Sequence, residues 1–232
     1  PYKQMPLDEN FRLKIDDYKG ENGGIVFPNP NAPTGIYESL DHVEEIIKNN
    51  PDVIVIVDEA YIDFGGETAL PLIDKYDNLV VVRTFSKSRS MAGLRIGYAI
   101  SNPELIKALN DVKYSYNSYT MNRPSLVLGV ESIHDDAYFR EKVGQIIATR
   151  ERFVKEIAEL GFTCLPSSAN FVFATHESIP AKEIFAAAKE NNIYVRYFDK
   201  PRIDNYLRIS IGTDAEMDAF VSFLTKCVKE YK

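Results

Sequence analysis

Lys87 stands in Thr84-Phe85-Ser86-Lys87-Ser88, directly after the apolar run Leu79-Val80-Val81-Val82, and Ala92-Gly93-Leu94-Arg95-Ile96-Gly97-Tyr98 follows. A lysine at the mouth of a buried strand lies close to low-dielectric protein, which disfavours the ammonium form and makes the nucleophilic amine accessible. Such an amine condenses with an aldehyde to a Schiff base. Ser86 and Arg95 can hold a phosphate beside it, the hydroxyl as a single donor and the guanidinium as a fork. Taken alone, Ser86 to Ser90 is also an ordinary polar loop with a solvated lysine. Its meaning depends on the rest of the chain.

Val53-Ile54-Val55-Ile56-Val57-Asp58-Glu59-Ala60-Tyr61 opens with five β-branched residues and reads as a strand buried on both faces, as in a parallel sheet. Open α/β sheets place ligand groups at the carboxyl ends of their strands, where Asp58 and Glu59 fall. An aspartate facing a pyridine nitrogen keeps it protonated, and the cationic ring then withdraws electrons from a carbanion. Tyr61 can donate to a phenolic oxygen on the same ring. The two carboxylates are equally suited to capping whatever follows the strand. A third strand, Gly24 to Phe27, empties into Pro28-Asn29-Pro30-Asn31-Ala32-Pro33-Thr34-Gly35, a rigid turn able to present amides. A phosphorylated aldehyde held on a lysine describes pyridoxal 5'-phosphate.

The elements that must position these residues alternate. Strand-like runs lie near Tyr2–Leu7, Ile25–Phe27, Val53–Val57, Leu79–Val82 and Ile96–Ile100, with a helix near Leu40–Lys48 as the crossover. Helical patterns follow at Pro103–Val112, Pro124–Ile133 and Ala137–Leu160. After Gly161, runs at Phe171–Ala174, Tyr194–Tyr197 and Leu207–Ile211 alternate with helices at Ala181–Asn191 and Ala215–Lys229, which suggests a smaller α+β unit. The expected class is α/β, with a mainly parallel sheet in residues 1–150 and a small C-terminal domain in 151–232.

Asn-Pro-Asn-Ala-Pro-Thr-Gly, Asp-Glu-Ala-Tyr, and Thr-Phe-Ser-Lys with Ala-Gly-Leu-Arg-Ile-Gly-Tyr resemble, in order and spacing, the fold-type-I aminotransferases of class I/II. The resemblance narrows to their histidinol-phosphate branch. Tyr194-Val195-Arg196 and Tyr206-Leu207-Arg208 lie where that branch carries two substrate arginines, and Tyr116-Asn117-Ser118 resembles its substrate-side segment, with Ser115 replacing the usual proline. The resemblance implies a pyridoxal-phosphate transaminase with Lys87, Asp58 and Tyr61 as the catalytic group. Ser86, Arg95, Thr84 and Asn31 would join them around the cofactor; Ala32 replaces the family's asparagine, so Asn31's contact stays open. Arg208, Arg196, Tyr116 and Asn117 would take histidinol phosphate and glutamate or 2-oxoglutarate in turn. It further implies a cytoplasmic homodimer and a first third of the large domain preceding Pro1. Alternatives are a threonine-phosphate decarboxylase or aromatic aminotransferase of the same fold, or a non-catalytic fragment.

Composition limits the other classes. A formal net charge of -7 argues against nucleic acid or an anionic membrane as the main partner. No run is long enough to span a membrane. Cys164 and Cys227, at an apparent strand start and in a terminal helix, fit a reducing compartment. His42, His134 and His176 lack metal-ligand spacing and read as surface or helix-end residues. Arg202 reads as a solvated cation.

Overall fold

The computed structural model describes residues 1–231. Its first sheet contains β1 (Ile25–Pro28), β2 (Val55–Asp58), β3 (Leu79–Thr84) and β4 (Gly97–Ile100), in that spatial order. β1, β2 and β3 are parallel, and β4 is antiparallel to β3. The crossover from β1 to β2 carries α1 (Leu40–Lys48), whose first turn is capped by Ser39 accepting from the His42 amide. Val43, Ile46 and Ile47 follow helical spacing and pack on Ile25, Phe27, Val55, Val57, Leu79 and Val81. Every second strand residue therefore faces α1.

The opposite face is less covered than the apolar run Val53–Val57 suggests. Val26 is 67% exposed and Ile54 41%, while Ile56 and Val82 are half-buried. The expectation of burial on both faces fails because no helix of the described residues packs across that side of β1 and β2. Nor is Tyr2–Leu7 a strand. Pro6 lacks an N–H, Tyr2 is exposed, and the first backbone bond of the region is Asp8 N–H to Arg12 C=O.

α2 (Pro103–Tyr116) and α3 (Arg123–His134) begin with Asn102 and Asn122, whose side chains accept from the amides of Leu105 and Ser125. α4 (Asp136–Ala158) runs from the first sheet to the second. Residue 150, the expected division, lies inside this helix.

The second sheet has the order β5 (Phe162–Cys164), β6 (Phe171–His176), β8 (Leu207–Ser210) and β7 (Arg196–Tyr197), with antiparallel neighbours. Cys164 ends β5 rather than starting a strand. α4, α5 (Ala181–Glu190) and α6 (Asp214–Tyr231) cover one side. Phe153 and Ile157 of α4, Ile184 of α5 and Leu224 of α6 are each at most 1% exposed and close over Val172, Leu207 and Ile209. His176 is buried, contrary to its expected place on the surface. Its Nδ1 accepts from the amides of Ser178 and Ile179, leaving Nε2 to donate to the Leu160 carbonyl. A ring so placed stands in for backbone pairing at a strand end. Arg202 is exposed but not idle: it donates to the carbonyls of Leu7 and Asp8 and lies over Phe11, tying the start of the chain to the second sheet.

Candidate active site

Strand alternation separates the two carboxylates at the end of β2. Asp58 pairs in register with Pro28 and Val82, on the side away from α1. Glu59, one residue on, turns to the other side and is 2% exposed. Its Oε2 accepts from Arg83 Nε and Nη2 at 3.0 and 2.8 Å, and its Oε1 from the Ala69 amide at 2.6 Å. Glu59 is therefore fully engaged within the fold. Asp58 accepts only from the Ala60 amide and forms no ion pair among the described residues.

Lys87 is held in the loop after β3, where Thr84 donates to Ser86 Oγ and accepts from the Ser86 amide. These bonds shape a turn that brings Lys87 Nζ to 5.3 Å from the Tyr61 ring centroid. Lys87 has no carboxylate in ion-pair range among the described residues. Arg95 adopts a left-handed conformation at φ 56°, is exposed, and donates to the Ala92 carbonyl. The Asn29–Thr34 turn is braced from within: Asn29 bonds the Glu38 backbone in both directions, and Asn31 donates to Thr34 Oγ1. Gly35 has φ +80°, and a Cβ there would stand 2.5 Å from Ser167 Oγ, so only glycine allows this turn to meet the second sheet's loop.

Three aromatic rings connect Lys87 to the expected substrate arginines. The Tyr61 ring meets Phe171 edge-on at 5.1 Å, and Arg208 lies over Phe171 at 5.2 Å. Arg208 and Arg196 lie over Phe198 at 5.8 and 5.5 Å. The two arginines are cross-strand partners in β7 and β8, and neither is in a salt bridge among the described residues. Like charges directly opposite one another destabilise a strand pair, so this arrangement favours an anion between or beside them. Tyr116 and Asn117 do not join this group. Tyr116 is 92% exposed at the end of α2, and no hydrogen bond or ring contact among the described residues links either to Lys87.

The sequence profile described as "Aminotransferase class I and II" matches residues 2–224. The chain belongs to that family. It is 49% identical over 229 residues to a histidinol-phosphate aminotransferase of Clostridium botulinum, covering 99% of this chain. The chain spans 65% of that relative's length. Among solved structures, the histidinol-phosphate aminotransferase of Clostridium acetobutylicum superposes with a TM-score of 0.88 at 25% identity, covering 97% of this chain and 70% of the other. A decarboxylase from Sulfurospirillum multivorans does so with 0.83 at 28% identity, covering 97% and 69%.

Within this aminotransferase fold, several contributors escape a reading by motif. Phe171 and Phe198 look like ordinary strand aromatics in the sequence. Arg150 serves there only to mark a boundary. Its guanidinium is buried and donates to the carbonyls of Phe64, at 2.9 Å, and Ala169, at 2.8 Å, joining the turn after Tyr61 to the loop before Phe171. Burial holds its pKa below the ordinary arginine range. A signal was available for one more residue: Arg83 is a charge ending an apolar strand, one register step from Glu59.

Proposed function

We propose that the complete protein transfers an amino group between histidinol phosphate and 2-oxoglutarate, using pyridoxal 5'-phosphate held on Lys87. The observation that carries this reading is a set of charges with no salt-bridge partner among the described residues: Lys87, Arg208 and Arg196, linked by the rings of Tyr61, Phe171 and Phe198, and Asp58, three residues before Tyr61. That donor set fits the cofactor: an amine for its aldehyde, a carboxylate for its ring nitrogen, and Ser86, Thr84 and Arg95 for its phosphate. When bound, the cofactor supplies an electron sink for the substrate carbanion. Asp58 would hold the proton on the ring nitrogen, and the Tyr61 hydroxyl would donate to the phenolic oxygen. Lys87 Nζ, as a neutral amine, would take the proton from the substrate carbon and give it up as an acid to the cofactor carbon. Asn31 Nδ2, which gives one hydrogen to Thr34 Oγ1 and keeps a second, would be a further donor to the ring oxygen.

Arg208 and Arg196 take the anions of both substrates in alternation: a phosphate on one, two carboxylates on the other. The identity to the Clostridium botulinum relative supports this choice of substrates. Tyr116 and Asn117 remain assigned to the substrate side by motif alone. We read residues 1–150 as the cofactor-binding unit and 151–232 as the smaller one, dividing within α4. The assembly is read as a homodimer and its location as the cytoplasm. Two free cysteines support a reducing compartment, and no described helix is long and apolar enough to cross a membrane. The likeness to a decarboxylase supports a second reading, loss of carbon dioxide on the same lysine, for which the sequence resemblance suggests threonine phosphate as substrate.

Incubation of the complete protein with pyridoxal phosphate, borohydride reduction and peptide mapping should put the label on Lys87. A label on Lys75, Lys107 or Lys113 would sink the assignment. Amino transfer from histidinol phosphate to 2-oxoglutarate distinguishes the first reading; carbon dioxide release from threonine phosphate distinguishes the second.

A further inference from the structure

A polar tie runs behind the candidate site, on the side of β2 and β3 away from Asp58. At its centre, Arg83 Nε and Nη2 donate to Glu59 Oε2. Thr68 Oγ1 donates to the same oxygen at 2.8 Å, and the Ala69 amide to Oε1. Arg83 Nη1 is 3.8 Å from Asp63 Oδ1, and Asp63 Oδ2 accepts from Ser88 Oγ at 2.5 Å. Ser88 is 6% exposed.

Each outer member adjoins one of the residues that face the cofactor. Glu59 follows Asp58, Asp63 lies two residues after Tyr61 on the 3-10 turn Ile62–Phe64, and Ser88 follows Lys87. Consecutive Cα atoms are about 3.8 Å apart, so fixing one residue closely limits its neighbour. A planar guanidinium holding one carboxylate by two donors sets angle as well as distance. A buried ion pair is a weak source of net stability compared with apolar packing, so stability alone does not account for placing one here.

We infer that Arg83, Glu59, Asp63 and Ser88 form one positioning group that fixes Asp58, Tyr61 and Lys87 relative to each other. Its role rests on the reading of Lys87 as the cofactor lysine. None of the four needs to touch cofactor or substrate. Together they bring two separate chain segments, residues 58–63 and 83–88, to one geometry before anything binds, the kind of support a reacting group needs to be held to within about 0.5 Å.

The test is a double-mutant cycle in the complete protein with Ser88→Ala and Glu59→Gln, which remove opposite ends of the tie. Three quantities are measured: the dissociation constant for pyridoxal phosphate, the pH midpoint of its absorbance once on Lys87, and the unfolding midpoint of the cofactor-free protein. Ser88→Ala should weaken pyridoxal phosphate about tenfold and move the pH midpoint, with the unfolding midpoint near wild type. Ser88→Thr keeps the hydroxyl and should restore both. The double variant should lose less than the product of the single losses, because each variant already breaks the shared tie. Independent, multiplying losses would overturn the inference. So would a Ser88→Ala protein whose affinity and pH midpoint match wild type. If Glu59→Gln does not fold, the Ser88→Ala and Ser88→Thr pair decides alone. Wild-type protein taking up no pyridoxal phosphate on Lys87 would sink the cofactor reading and this inference together; normal uptake in wild type and variants alike would sink this inference only.

Discussion

The two sheets differ in how they treat their apolar surface. The second closes three helices over one core, and only Tyr194 and Tyr231 remain as exposed large hydrophobic side chains after residue 150. The first buries one face under α1 and leaves Val26 and Ile54 in water. α2 and α3 likewise expose Leu109, Val112, Leu126, Val127, Val130 and Ile133. A sheet with parallel strands ordinarily has both faces covered. The proposed chemistry and the closed packing thus fall in different places: Lys87, Asp58 and Tyr61 sit on the half that leaves apolar surface open, while the second sheet supplies closed packing and the two opposed arginines.

Substitutions can separate the two. Lys87→Ala in the complete protein should lower amino transfer by ~10⁴-fold or more, removing both the anchor and the acid–base group. Its unfolding midpoint should barely change, since Lys87 makes no ion pair among the described residues. A large loss of stability would place Lys87 in the packing instead. Phe153→Ala should act the opposite way. That ring is 0% exposed and stacks on Phe220, so denaturant unfolding should show a loss of about 3–5 kcal/mol. A smaller loss would mean the second core is looser than its burial suggests.

In the first half, the candidate site is more legible in the sequence than the packing around it. An apolar run ending in Asp58 and another ending near Lys87 are local patterns, and two-residue alternation alone separates Asp58 from Glu59. Whether a face is covered depends on residues far away, so Val53–Val57 reads as doubly buried when one side is open. The contacts of His176, Arg202 and Arg150 are hidden from the sequence for a related reason. Each is held by backbone carbonyls or amides of other segments, which carry no residue-type signature. Tyr2–Leu7 joins no sheet, and its Pro6 removes a backbone donor that a ladder would need.

Two smaller effects sharpen the comparison. Arg208→Lys keeps the charge but loses the fork, and should weaken glutamate and histidinol phosphate together by roughly 1.5–3 kcal/mol each. Single-turnover measurements of each half-reaction would reveal this; unchanged affinity for both would make Arg208 a strand residue only. Val26→Ser, on the open face, should change the stability of the 232-residue chain by no more than about 0.5 kcal/mol in urea. The same change in the complete protein should cost more if further chain covers that face, and equal costs would argue that the face is open there too.

The opposed arginines of β7 and β8 have a consequence for how a ligand arrives. Two cationic heads on adjacent strands, with no salt-bridge partner among the described residues, stand together in a chain whose formal charge is -7. Anionic molecules are repelled by the bulk of such a surface and drawn to this one place, so capture should slow as ionic strength rises and the Debye length shrinks to about 8 Å near 0.15 M. An arriving dianion would also relieve the repulsion between the strands, making the ligand the counter-ion that completes their pairing.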